Sequence, residues 1–197
     1  MFTKHTWLFF FFFISGFSSI IYQIAWQKLL FHNLGSDIES STIIVSTFMA
    51  GLGTGALLGG YISSKFKNVI FYFCIFELII GLYGLISYEL FLITSNYFIK
   101  SSFVILILTN FFIFLVPTVL MGATLPLLII FILKKYKNIG SATGKLYKVN
   151  TFGAAFGSIV TGFIIFTYLD IKQSIFFAAF LNIFLSYFIY KKFKKDF

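Results

Sequence analysis

Arginine is missing altogether from these 197 residues, and the formal net charge of +9 rests on lysine alone. Arginine is the usual reader of phosphates and base edges, so the basic balance does not carry a nucleic-acid reading. The chain has one cysteine, Cys74. It sits within an apolar run and reads as inert packing; an intramolecular disulfide and any cysteine-rich metal site are excluded. Two histidines, His5 and His32, fall near opposite ends of the first apolar run and cannot form a metal pair within one subunit. No Ser-His-Asp set, paired carboxylates or metal-ligand spacing is present, so no metal or other cofactor is expected. No A-x-A-like site follows the apolar N-terminus, which weakens a signal-peptide reading. Strict alternation of apolar and polar residues is also missing, which argues against a β-barrel.

What the chain does have is six apolar runs, roughly Trp7–Leu30, Thr42–Ser64, Val69–Leu92, Ser101–Leu133, Leu146–Tyr168 and Gln173–Tyr190. A bilayer core of about 30 Å takes about 20 apolar residues per helix, so six spans fill most of the chain and leave no soluble domain. Hydrocarbon offers backbone groups no water, which makes the spans helical. The expected fold is an all-α six-helix integral membrane domain covering 1–197, with the lipid bilayer as its partner.

The lysines supply a handedness. Lys4, Lys65, Lys67, Lys134, Lys135, Lys137, Lys145, Lys148, Lys191, Lys192, Lys194 and Lys195 fall at one set of alternate ends. Only Lys28, Lys100 and Lys172 fall at the other, together with Asp37, Glu39, Glu89 and Asp170. Cytoplasmic loops collect Lys and Arg. Both termini are therefore expected in the cytoplasm, and the expected location is the bacterial inner membrane.

A shift of 102 residues lays Gly51, Gly55 and Gly60 on Gly153, Gly157 and Gly162, and the first span on Thr109–Ile132. Three spans per half would put the halves in opposite orientations, the inverted 3+3 repeat of many transporters. The fourth run is long, roughly 50 Å as a helix, and holds both prolines, Pro117 and Pro126. Proline removes a helical hydrogen bond, so a bent or broken helix is expected there, with Asn96–Leu108 partly interfacial.

Gly51-Leu-Gly-Thr-Gly55-Ala-Leu-Leu-Gly59-Gly60 fails the G-x-G-x-x-G test and lies inside a span. Gly51, Gly55 and Gly59 instead line one helix face and let another backbone approach. Gly153, Gly157 and Gly162 do the same in the fifth span; the surfaces are either fixed contacts or sliding ones. Ser15, Ser19, Gln23 and Gln27 step by four along the first span, with Tyr22 and Trp26 beside them. They line a substrate path or glue helices together. Glu77 is the one acid well inside a span. A buried carboxylate is costly unless paired or protonated, which suits a proton site, an amine site, or a neutral Glu bonded to a neighbouring helix. Asn110, Asn150 and Asn182 are further candidates, each equally suited to bonding across helices.

Several stretches together resemble the spermidine-synthase-like membrane proteins: Ser15-Gly-Phe-Ser-Ser-Ile-Ile-Tyr-Gln-Ile-Ala-Trp-Gln-Lys-Leu-Leu30, Phe48-Met-Ala-Gly-Leu-Gly-Thr-Gly-Ala-Leu-Leu-Gly-Gly60, Glu77-Leu-Ile-Ile-Gly-Leu-Tyr83, Pro117-Thr-Val-Leu-Met-Gly-Ala-Thr-Leu-Pro126 and Gly144-Lys-Leu-Tyr-Lys-Val-Asn-Thr-Phe-Gly153. The likeness runs from about Ser15 to Asn182. It implies a membrane domain similar to the major facilitator superfamily, which in that family commonly precedes a cytoplasmic aminopropyltransferase-like domain. The sequence departs from the pattern. It runs to Lys191-Lys-Phe-Lys-Lys-Asp-Phe197 with no glycine-rich nucleoside-binding loop, so the synthase-like domain is expected to be absent and aminopropyl transfer is not expected. The family's Gly-Gly-x-x-x-Asp-Arg turn reads Gly59-Gly-Tyr-Ile-Ser-Ser-Lys65 and loses its acid at Ser64. By this resemblance the expected function is transporter-like, moving polyamines or another small amine through a homodimer, with Glu77, Gln23, Gln27, Tyr22 and Asn150 as substrate or proton contacts. The alternative is an anchor for a separately encoded synthase-like enzyme, docked on the lysine-rich Lys134–Lys148 loop and the C-terminal tail.

Overall fold

The computed structural model describes the backbone of residues 4–98, 103–136 and 138–194, and the side chains of 6–97, 104–133 and 138–194. Lys100, Lys137 and Lys195 lie outside the described residues, as do the side chains of Lys4, His5, Lys134 and Lys135. The described chain is helical and, within it, no strand occurs. The helices are α1 (Lys4–Leu34), α2 (Asp37–Lys65), α3 (Val69–Phe98), α4 (Phe103–Tyr136), α5 (Ile139–Tyr168) and α6 (Ile171–Phe193). All six are long and apolar enough to cross a membrane. This is a multi-pass membrane protein.

The helices start where local chemistry can satisfy their free N–H groups. Gly35 takes a left-handed φ of 68° and turns the chain between α1 and α2, a conformation that glycine adopts without steric cost. Asn138 Oδ1 accepts from the Ser141 N–H at 2.9 Å and caps α5. Asp170 caps α6 in a reciprocal box: Gln173 N–H donates to Asp170 Oδ1 at 2.7 Å, and Asp170 N–H donates to Gln173 Oε1 at 3.1 Å. At the same end Lys172 Nζ meets Glu89 Oε1 at 2.5 Å, tying α6 to α3.

The main helix pairs are α2 with α4, α1 with α5, and α3 with α6; α3 also packs on α4 and α1 on α6. Large apolar side chains such as Met49, Leu57, Ile93 and Phe163 point outward. In water so many exposed apolar residues would be an aggregation liability; in a bilayer they are the lipid-facing surface. Inside, one apolar cluster groups Leu8, Phe12, Phe73, Leu127 and Phe193. The other centres on Trp26, stacked at 4.9 Å on both Tyr22 and Phe114, with its Nε1 donating to Ser87 Oγ at 3.2 Å.

Lipid gives helices little hydrophobic reason to associate, so close backbone approach carries much of the packing. A Cβ on Gly51 would strike Thr118, one on Gly55 would strike Val119 and Gly122, and one on Gly59 would strike Ala123. At Gly55 and Gly59 the α2–α4 seam is thus backbone against backbone, and at Gly51 it is backbone against the Thr118 side chain. Along α1–α5, Gly153 faces Phe13, Gly157 faces Phe17 and Ile20, and Gly16 faces Asn150. Gly162 does not belong with them: a Cβ there would meet nothing within 4 Å.

The expected break in α4 is absent. Pro117 and Pro126 both lie inside one continuous helix, Phe103–Tyr136. Pro117 cannot donate to the carbonyl of Ile113, four residues back. Tyr83 Oη on α3 donates to that carbonyl instead, at 2.7 Å. At Pro126 the residue four back is Gly122, which packs its backbone directly on Leu52 of α2. The irregularity lies in α5, where Thr161–Ile165 forms a π-helical turn. Thr161 is buried there and donates its hydroxyl to the Gly157 carbonyl at 2.6 Å. Such turns are rare and frequently mark functional segments.

Candidate functional site

Four helices, α1, α2, α4 and α5, line a partly open cavity of about 300 Å³. Its polar lining comes from Ser15, Ser19 and Gln23 on α1, Thr124 on α4, and Tyr147 and Asn150 on α5. The rest of the wall is apolar, including Phe12, Phe48, Leu52 and Met121. A mostly apolar cavity with a few convergent polar groups is the usual form of a small-molecule site.

The polar stripe reaches this cavity because residues four apart on a helix stay on neighbouring faces. Each step of four still rotates the side chain by about 40°. Over the three steps from Ser15 to Gln27 the drift reaches about 120°, and Gln27 leaves the cavity. Its Nε2 donates to Ser41 Oγ on α2 at 2.7 Å. It lines a separate cleft with Lys28, Phe31, His32 and Asp37. Tyr22 is also outside the cavity lining; it is buried with its hydroxyl against Gly84 of α3. Of Tyr22, Gln23 and Gln27 on α1, Gln23 alone lines the cavity, beside Ser15 and Ser19, and Asn150 joins it from α5.

Glu77 is fully buried. Ser15 Oγ donates to one carboxylate oxygen at 2.6 Å, and Asn182 Nδ2 on α6 donates to the other at 2.6 Å. Both donors are neutral. The acid therefore ties α3 to α1 and α6 at the point where those three helices meet. Asn182 Oδ1 and Tyr22 Oη are buried without a hydrogen-bond partner among the described residues.

Ser15 is the residue that connects these two features. It lines the cavity, and it hydrogen-bonds the carboxylate behind the cavity wall. A hydroxyl that donates in one direction still offers lone pairs in the other. An N–H or water in the cavity can donate to Ser15 while Ser15 donates to Glu77. When Glu77 is ionised, its charge is thereby felt in the cavity without the carboxylate lining it. The arrangement can hold a proton at Glu77 or stabilise a small cation beside Ser15.

Ser15 and Glu77 lie 62 positions apart and Asn182 a further 105, so nothing local in the sequence joins them. Thr124 and Tyr147 were not expected in the site; Thr124 stands between the two prolines of α4, and Tyr147 within the lysine-rich Lys134–Lys148 stretch. The third asparagine, Asn110, is buried and donates to its own helix at the Leu106 carbonyl, 2.8 Å away. No cluster of three or more metal-ligating side chains occurs among the described residues. Comparisons with family models, curated proteins and solved structures find no match for the chain.

Proposed function

We propose that this multi-pass protein is transporter-like and binds a small protonated amine in the cavity between α1, α2, α4 and α5. The observation that carries the reading is the Ser15 hydroxyl, which lines the cavity and bonds the buried Glu77 at 2.6 Å. A buried acid is expensive to keep in a membrane interior and is a functional-site hypothesis by default. Gln23, Asn150, Thr124 and Tyr147 supply neutral acceptors for the remaining N–H groups of such a ligand. The resemblance to the spermidine-synthase-like membrane proteins favours polyamines within the amine class. The lysine asymmetry supports a bacterial inner-membrane protein with both termini in the cytoplasm.

The glycine contacts support two related halves. Gly55 meets Val119 and Gly122; shifted by 102 positions, the equivalent glycine is Gly157 and the equivalent partners are Phe17 and Ile20, the residues Gly157 meets. The two seams then flank the cavity as counterparts, an arrangement found in many transporters.

Uptake of radiolabelled putrescine and spermidine into proteoliposomes, wild type against Glu77→Gln, tests the proposal. The substitution preserves shape and removes the ionisable group, and uptake should fall at least tenfold. Equal uptake by both proteins would remove Glu77 from the mechanism. A second reading, an anchor for an acidic soluble enzyme, draws on the exposed Lys65, Lys67, Lys145, Lys148, Lys191, Lys192 and Lys194 at one end of the bundle. Co-purification of a synthase-like partner, with no amine uptake by the wild type, would favour it.

A further inference from the structure

A second concave feature lies away from the central cavity, where the first turns of α1 meet the last turns of α6. It is a groove of about 490 Å³ lined by Trp7, Phe11, Phe188, Lys191 and Lys192. Its chemistry is divided. Trp7 and Phe11 are one turn apart on α1 and Phe188 faces them from α6, making an apolar floor. Lys191 and Lys192 stand exposed at the rim. The Lys192 ammonium is held 4.4 Å over the Trp7 ring, so its charge is fixed at the groove.

We propose that this groove binds one anionic phospholipid, the phosphate between Lys191 and Lys192 and the acyl chain along Trp7, Phe11 and Phe188. Three facts favour lipid as the occupant. The groove lies at the ends of two membrane-spanning helices, so lipid is the molecule it meets. Trp7 is of the residue type that sits at the headgroup level, and lysines between helix ends recognise anionic headgroups. Among the described residues, the helix-end acids Asp37, Glu39, Glu89 and Asp170 all stand at the opposite end of the bundle; Asp196 lies outside the described residues. The neighbouring α6 side chains Phe184 and Tyr187 are more than half exposed, continuing the apolar surface down into the bilayer.

Lysines in the last turn of a helix also favour its dipole, and a basic helix end attracts anionic lipid without a specific site. The experiment separates these. The purified protein is exchanged into nanodiscs of phosphatidylcholine with a minor fraction of phosphatidylglycerol, and retained lipid is measured by native mass spectrometry after ejection. Three variants are compared: the double variant Lys191→Ala/Lys192→Ala, Trp7→Ala with both lysines kept, and Lys65→Ala/Lys67→Ala at the same end but away from the groove. Circular dichroism and a monodisperse elution profile establish folding of each.

The wild type should retain one phosphatidylglycerol in preference to phosphatidylcholine. At about 1 kcal/mol per lysine, loss of both groove lysines weakens retention roughly thirtyfold. Trp7→Ala should weaken it too, and Lys65→Ala/Lys67→Ala should leave it unchanged. Equal loss from both lysine pairs would overturn the site in favour of diffuse attraction. Absence of any preference for the anionic lipid in the wild type would overturn it outright.

Discussion

The α2–α4 seam makes a prediction whose sign changes within half a turn of one helix. Replacing Gly55 by Ala places a Cβ against the Val119 carbonyl oxygen, and 2.9 Å from both Gly122 Cα and the Val119 carbonyl carbon. Comfortable carbon contacts are about 3.5–4.0 Å, so the backbones must part by at least roughly 0.6–1 Å at the two carbons, and by more at the Val119 oxygen. No flexible side chain can absorb this, because every atom met is main chain. Gly51 on Thr118 and Gly59 on Ala123 lie one turn to either side, so the whole seam is forced open. Overpacking of this kind costs about 1–3 kcal/mol, and the rigid neighbours place it near the top of that range. Alanine's better helix propensity returns up to about 1 kcal/mol, for a net loss of about 1–2 kcal/mol. Gly53, on the same helix, faces open space; Gly53→Ala should gain the propensity term and be neutral or stabilising. Reversible unfolding in mixed micelles of increasing dodecyl sulfate, followed by ellipticity and by fluorescence of the stacked Trp26, measures both. A Gly55→Ala protein at least as stable as Gly53→Ala would refute backbone-to-backbone packing of α2 on α4.

Other outcomes follow from the same geometry. Tyr83→Phe should cost about 1–2 kcal/mol, because the Ile113 carbonyl loses the donor that replaces Pro117. The same change should cost much less in a Pro117→Ala background, where the helix supplies its own donor, and an additive double-mutant cycle would contradict that role. Ser15→Ala should abolish most amine uptake while leaving the elution profile intact, and unchanged uptake would disconnect the cavity from Glu77.

The six spans were legible because their apolar runs and flanking lysines report directly on the bilayer. Helix ends ran a few residues past the apolar runs: α1 continues to Leu34 rather than Leu30, and α4 to Tyr136 rather than Leu133. Polar residues extend a helix into the interface where water satisfies its ends. The glycine face at Gly51, Gly55 and Gly59 was also legible, since spacing alone puts those positions on one side. The continuity of α4 was not, because it depends on Tyr83 reaching across from α3. The π-helical turn at Thr161–Ile165 had no local signal that distinguishes it from any Thr-Gly pair in a span. The site divided along the same line. Gln23, Asn150 and the buried Glu77 stood out as polar groups in apolar runs, whereas the Ser15–Glu77–Asn182 link needs three helices brought together. The sequence also grouped Gln27 with Gln23, and only the accumulated rotation of the helix separates them.

Titration calorimetry of spermidine and putrescine against the purified protein, wild type and Glu77→Gln, addresses the central claim most directly. The account predicts saturable binding to the wild type and at least a tenfold loss in the variant, with both proteins folded. No binding to the folded wild type, or equal binding to both, would contradict an amine site governed by Glu77.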